Sequence, residues 1–256
     1  MKKIIISFFI IVLSGCSYFQ DKGDETEIWP AERLYAEARS ALDSGDYDKA
    51  VELYEKLEAR FPFGTFGQQA ILDLAYAYYR NDDPDAAVST AERFIKLYPQ
   101  NAHVDYAYYL KGLANFQRGK GFTERILPLD ESQRDPGSSL LAFEAFSDLV
   151  KRYPDSQYAD DAKLRMMHLR NILAEHEVHV AQYYMRRGAF VAAANRARYV
   201  VEKYARTPSI PDALVIMAKA YKVMELTELS EDAVRVLELN YPNHPGVYEV
   251  REVILQ

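Results

Sequence analysis

With 256 residues the chain has room for one ordinary domain or two small ones, and enough length to bury a sizeable core. Its 38 acidic and 31 basic side chains give a formal net charge of −7, which argues against the broad basic footprint that nucleic-acid binding needs. Eleven Gly and eleven Pro are too few for a disordered or fibrous chain, while 20 Tyr and 12 Phe supply much amphipathic ring surface to bury or to offer a partner.

The N-terminus reads as a targeting segment. Lys2 and Lys3 precede an apolar run from Ile4 to Val12, and Leu13-Ser14-Gly15-Cys16 follows at once. The run is too short to cross a bilayer. The four residues resemble a bacterial lipobox, so residues 1–15 are expected to be a lipoprotein signal peptide and Cys16 the lipidated first residue of the mature chain. The alternative is an ordinary secretory signal beside a chance Cys. Against it, Cys16 is the only Cys in the chain and stands where the apolar run ends. The covalent lipid would be S-diacylglycerol with an N-acyl chain. Each buried CH₂ contributes about 0.8 kcal/mol, so three chains anchor stably where one is marginal. No disulfide is then available to the mature chain. Ser17, in place of Asp, resembles the outer-membrane sorting class, and polar residues 16–27 read as a flexible tether.

From Pro30 onward apolar residues recur at intervals of three and four, which predicts an all-α body. Phe61-Pro62, Tyr98-Pro99, Tyr153-Pro154 and Tyr241-Pro242 each close an amphipathic run. Proline removes a donor and disfavours helical geometry in the residue before it, so each pair marks a helix end. Pro62 to Pro99 spans 37 residues, as does Tyr204 to Tyr241, a period that points to tetratricopeptide-like helix pairs. Repeat one aligns on Ala38, Ala50 and Tyr54, and repeat two on Ala75, Ala87 and Phe94. Repeat three aligns on Gly112, Ala142 and Phe146 only with 18 residues inserted, which predicts a loop over 119–136. Repeat four aligns on Ala181, Gly188 and Ala193 with a long first helix over about 157–187. Repeat five aligns on Ala218, Val234 and Leu237. The expected architecture is a right-handed α-solenoid of about five helix pairs, with repeats one to three over 28–155 and repeats four and five over 156–256.

The first helix of each pair lines the concave face of such solenoids. Its predicted lining is Tyr35, Arg39, Gln69, Leu72, Tyr76, Tyr79, Arg80, Tyr106, Tyr109 and Phe116, six of ten being aromatic. Inter-repeat packing is the competing use of each ring. The Lys and Asn pattern that grips a terminal carboxylate elsewhere is missing, and Arg39 and Arg80 are the nearest substitutes. Charge is segregated too. Residues 163–206 hold nine basic and three acidic side chains, net +6, within an otherwise acidic chain. Arg186, Arg187, Arg196 and Arg198 head this basic island, which would steer an acidic partner unless it is a plain solvated face.

Signals for chemistry are poor. Glu175-His176-Glu177-Val178-His179 sets its two His three apart, whereas a zinc helix sets them four apart, so no metal is expected. Gly119-Lys120-Gly121 is too short for a phosphate loop, and His103, His168 and His244 are scattered. The chain is expected to be no enzyme.

Several strings go beyond the repeat consensus: Arg60-Phe61-Pro62-Phe63-Gly64 with Gln68-Gln69, Leu72 through Tyr79, Asp105-Tyr106 to Gly112, Arg134-Asp135-Pro136, Ser156-Gln157-Tyr158, and Tyr183-Tyr184 through Arg187-Gly188-Ala189 to Asn195-Arg196. Across roughly 27–242 the chain resembles the BamD/ComL (YfiO) family of outer-membrane β-barrel assembly lipoproteins. The resemblance implies a non-enzymatic scaffold on the periplasmic face of the outer membrane, with no cofactor. It implies partners in the BamA POTRA domain, other lipoproteins of that machinery, and unfolded outer-membrane β-barrel proteins. It assigns the targeting segment, which ends in an aromatic residue, to the N-terminal repeats, and an ion pair with BamA to Arg196. The loop near 119–131 and the tail beyond Asn243 resemble the family less. The alternative is a pilotin-like lipoprotein of another envelope assembly system, which would share the lipobox and repeats but not these strings.

Overall fold

A computed structural model describes residues 24–118 and 130–254. Their regular elements are helices: α1 (Ala31–Ser44), α2 (Tyr47–Arg60), α3 (Thr65–Arg80), α4 (Pro84–Leu97), α5 (Val104–Arg118), α6 (Gly137–Arg152), α7 (Ala159–Arg186), α8 (Phe190–Lys203), α9 (Ile210–Val223), α10 (Thr227–Asn240) and α11 (Gly246–Ile254), with 3-10 turns at Glu25–Ile28 and Glu131–Gln133. Each helix packs on the next. Beyond that, α1 meets α3, α3 meets α5, α7 meets α9 and α9 meets α11, the stacking of a solenoid of helix pairs. No helix among the described residues is long and apolar enough to cross a membrane. The expected signal peptide, Cys16 and residues 119–129 of the expected loop lie outside the described residues.

One register recurs along the stack. Ala38 and Ala50, Ala75 and Ala87, Ala181 and Ala193, and Ala218 and Ser230 are buried small residues twelve apart, on the first and second helix of a pair. In the last pair the crossing is close enough for Ser230 Oγ to donate to the Ala218 carbonyl at 2.9 Å. Seven residues after each first member the chain turns through left-handed backbone, at Gly45, Asp82, Gly188 and Glu225, with φ between 60° and 84°. Glycine takes that geometry freely, whereas Asp82 and Glu225 hold it at a cost of about 1 kcal/mol or more.

The second helices end alike. Phe61, Tyr98, Tyr153, Tyr204 and Tyr241 each adopt φ between −136° and −113° and ψ between 40° and 64°. Each donates its N–H to the carbonyl four residues back, on buried Leu57, Phe94, Leu149, Val200 or Leu237, at 2.8–2.9 Å. Proline follows four of the five. Ala205 follows Tyr204, so the aromatic packing sets this end and proline reinforces it.

Three features were not foreseen. Residues 24–27, expected within the tether, are docked: Lys56 Nζ meets Asp24 Oδ2 at 2.7 Å, and Arg60 donates to the Thr26 and Trp29 carbonyls at 2.7 and 2.9 Å. The final residues of the expected 119–136 loop return to the stack. Ser132 is 1% exposed there, and its carbonyl lies 2.8 Å from His176 Nδ1 on α7. Beyond repeat five, α11 packs on α9 through Val247 and Val250, so the stack continues into half a further repeat.

Gly112 tests how tight the crossings are. A Cβ there would lie 2.4 Å from Cε1 of Phe146, a fully buried ring on α6. Gly112→Ala should therefore lower stability in urea denaturation by about 1–3 kcal/mol through overpacking. An unchanged midpoint would mean that α5 and α6 can separate at little cost.

Candidate functional site

Rings and charges from α1, α2, α3, α5, α7 and the link between α6 and α7 form clusters that follow one another along the stack. At one end Asp73 is a buried carboxylate on α3. Tyr35 donates to its Oδ2 at 2.9 Å and Tyr54 to the same oxygen at 3.4 Å, while Gln69 Nε2 donates to Oδ1 at 2.9 Å. Arg39 Nη1 stands 4.0 Å from Oδ1, with its Nε paired to Asp43 at 3.1 Å. The Tyr35 ring also meets Tyr54 and Phe66, with centroids at 6.1 and 5.5 Å. Burial raises the Asp73 carboxyl above the usual carboxylate range, against the pull of its donors and of Arg39. Burial, then the Asp73 charge, pushes Tyr35 up to about 12.

Farther along, Tyr76 and Tyr79 are 6.4 Å apart, and Arg80 donates to Tyr76 Oη at 2.8 Å while lying over the Tyr47 ring at 4.7 Å. Tyr158, in the link between α6 and α7, joins Tyr106 at 5.2 Å and stacks on Tyr109 at 4.8 Å and 17°. Tyr109 donates to Asp161 Oδ2 at 2.6 Å, and Arg165 Nε pairs with the same oxygen at 2.5 Å. Phe116 then meets the His168 ring edge-on at 6.0 Å. Between these groups opens a cavity of about 430 Å³, whose walls include Tyr79, Arg80, Leu113, Phe116 and Arg165. A second cavity of about 250 Å³ shares Phe116 and Arg165 and is flanked by Leu164 and Leu169. The face can therefore accept a ring between aromatic and aliphatic walls, with two guanidiniums near for a carboxylate.

Of the ten residues expected in the lining, Leu72 is misplaced. It is 3% exposed and packs with Ile71, Phe94 and Val104 inside the stack, because its position on α3 faces the neighbouring repeats. Tyr35, Arg39 and Gln69 gather at the Asp73 end. Tyr76, Tyr79, Arg80, Tyr106, Tyr109 and Phe116 follow the network toward α7. Sequence reasoning missed Asp73, Tyr158, Asp161 and Arg165. The Ser156-Gln157-Tyr158 string was a signal for Tyr158, but the repeat register has no place for a linker residue in the lining.

The basic island is less bare than its charge count suggested. Arg196 Nη1 donates to both carboxylate oxygens of Glu177, at 3.2 and 3.0 Å, and their side chains are 48% and 14% exposed. Arg198 reaches Asn195 Oδ1 at 3.1 Å and approaches Glu202 at 3.8 Å. Arg187 lies 5.3 Å over the Tyr183 ring, and Arg170 donates to the Lys203 and Ala205 carbonyls. Arg186 is exposed beside a cavity of about 480 Å³ that His176 and Tyr183 also line.

The chain is similar in sequence to known proteins. The family described as "YfiO: Outer membrane lipoprotein" matches residues 29–237. The "Outer membrane protein assembly factor BamD" of Neisseria gonorrhoeae is 43% identical over 250 residues, covering 96% of this chain and 93% of the relative. The protein of the same name from Vibrio cholerae serotype O1 is 38% identical over 229 residues, covering 90% and 94%.

Asp73 offers a test of the buried network. With a folded-state pKa above the unfolded value of about 3.9, stability tied to the protonated carboxyl is complete below that value and is lost as pH rises through the folded value. Unfolding measured from pH 3.5 to 7 should show wild type losing stability relative to Asp73→Asn as pH rises. A constant difference across that range would mean that the donors around Asp73 fully offset its burial.

Proposed function

Because the chain belongs to the YfiO family of outer membrane lipoproteins, we propose that it is an outer membrane protein assembly factor that works as a non-enzymatic scaffold. A lipid on Cys16 holds it at the periplasmic face of the outer membrane. The observation that carries the reading is the aromatic face ending in the 430 Å³ cavity beside Arg80 and Arg165. An unfolded β-barrel protein whose C-terminal segment ends in an aromatic residue supplies the matching ligand: its ring enters between Tyr79 and Phe116 and its carboxylate meets a guanidinium. The network needs little rearrangement for this, since its tyrosines and carboxylates already hold one another in place.

The opposite half of the stack docks BamA through its POTRA domain, and the other lipoproteins of the machinery assemble around that contact. Arg186, Arg187, Arg196 and Arg198 present the positive surface. Arg196 exchanges Glu177 for a partner carboxylate, or is shared between the two. Sharing is the cheaper arrangement, because the Glu177 side chain is only 14% exposed and a full exchange would leave its carboxylate without its cation.

Two experiments address these halves. Tyr79→Ala with Phe116→Ala should weaken capture of a peptide ending in Phe by about fivefold to a hundredfold, at unchanged helicity, given roughly 0.5–1.5 kcal/mol per ring contact. Amidation of that peptide's terminus should weaken binding to wild type as well. Equal capture by wild type and double variant would remove the peptide from this face. For docking, Arg196→Ala should abolish co-purification of BamA while the chain stays folded, at a stability cost of about 1–3 kcal/mol for the carboxylate left unpaired, and Glu177→Ala should leave recovery intact. The reverse pattern would make the Arg196 pair structural.

A further inference from the structure

Beside the basic surface, α7 and the end of the repeat-three insertion bring metal-binding groups together. Glu175 and His179 stand one helical turn apart on the same face of α7. Asp130 heads the 3-10 turn docked against that face, and one ligand atom from each of the three lies within 4.8 Å of the other two. The distances within the group are informative. Asp130 Oδ2 is 3.3 Å from His179 Nε2, yet the ring nitrogen is shielded from solvent and has no hydrogen-bond partner. The carboxylate stands beside the ring nitrogen and off its bonding line. Two ligands of one tetrahedral ion, with bonds of about 2.0–2.2 Å, stand about 3.3–3.6 Å apart. A buried imidazole nitrogen is otherwise seldom left unpaired.

We propose that Asp130, Glu175 and His179 form a site for a divalent late transition metal of the zinc class, which ties the end of the insertion to α7. Its supports are built in. Ser132 N and Oγ donate to Asp130 Oδ1 at 2.9 and 2.6 Å and Gln133 Nε2 donates to Oδ2 at 3.0 Å, so the carboxylate is held before any ion arrives. His176 is not a ligand: its Nδ1 lies 2.8 Å from the Ser132 carbonyl and fixes the turn. The zinc-helix test, His paired with His, overlooks a Glu and His four apart with a third ligand from a distant turn. Three protein ligands leave a fourth position for water. The imidazole nitrogen and the small oxygen count select against magnesium and calcium.

Zinc titration of the full mature chain in competition with a chromophoric chelator tests the site. One zinc per chain is expected, unaffected by excess magnesium, with a raised melting temperature. His179→Asn and Glu175→Gln should each weaken binding by at least about tenfold and abolish the thermal shift, while His103→Asn, at the start of α5, should change neither. Glu175 is exposed, so its variant keeps the test valid if His179→Asn misfolds. Absence of saturable one-to-one binding by wild type, or wild-type affinity in Glu175→Gln, would overturn the proposal.

Discussion

The constraint on which the structure depends is the close crossing of two helices at small residues. Where Ala38, Ala75, Gly112, Ala181 and Ala218 sit on the first helix of a pair, a larger side chain would push the second helix away and change the tilt of every later unit. Stability in such a stack comes from each pair covering its neighbour, so an error at one crossing is passed along the line. The recurrent aromatic helix end serves the same geometry. Its N–H satisfies a carbonyl of the last turn while its ring packs inside its own pair, as Tyr98 does against Phe94 and Tyr153 against Tyr108. Held at fixed tilt, the first helices of successive pairs bring Tyr76, Tyr106 and Tyr109 into one network from separate repeats.

The parts legible in the sequence were those with a period. Small residues at fixed offsets, aromatic residues before proline and the uninterrupted apolar pattern of α7 are repeated local choices, and local choices determine helices. Where the period fails, legibility fails. Tyr158 and the turn at Glu131–Gln133 lie between repeats and are positioned by what they touch. Leu72 shows the limit within a repeat: one residue of rotation around a helix separates a lining position from a packing position, and composition does not distinguish Leu in either role. The helix α11 went unread because the buried stripe among its described residues, Val247 and Val250, is too short to show a period.

Charge was legible as a sum and illegible as an arrangement. The positive balance of 163–206 is present in the chain, but Arg170 holds helix-end carbonyls, Arg165 holds Asp161 and Arg196 holds Glu177. These bonds change what the island can do. A free cation attracts at long range and is screened by salt, whereas a paired one exchanges partners and contributes geometry more than field. The same logic separates Asp73 from the exposed acidic residues. Buried and surrounded by donors, it orders Tyr35, Tyr54 and Gln69 at the end of the aromatic face.

The insertion and the long helix are two halves of one arrangement. The 14- to 16-residue helices of the other pairs are covered by their neighbours, but α7 has 28 residues and about 20 Å of additional length that needs a cover. The end of the insertion supplies it. His168 approaches Glu131 at 3.6 Å, His176 meets the Ser132 carbonyl, and His179 meets Asp130, so three histidines along one helix face three consecutive residues of the turn. An insertion leaving a solenoid needs a surface to return to, and an overlong helix needs that surface covered. The consequence reaches both proposed binding faces. Asp161 and Arg165, in the aromatic network, and Glu177, the partner of Arg196, stand on the same uninterrupted helix, with Arg165 and Glu177 about 18 Å apart along its axis. A single rigid element thus sets the spacing between a peptide held on one half and a partner docked on the other, and the turn at 130–136 braces it midway.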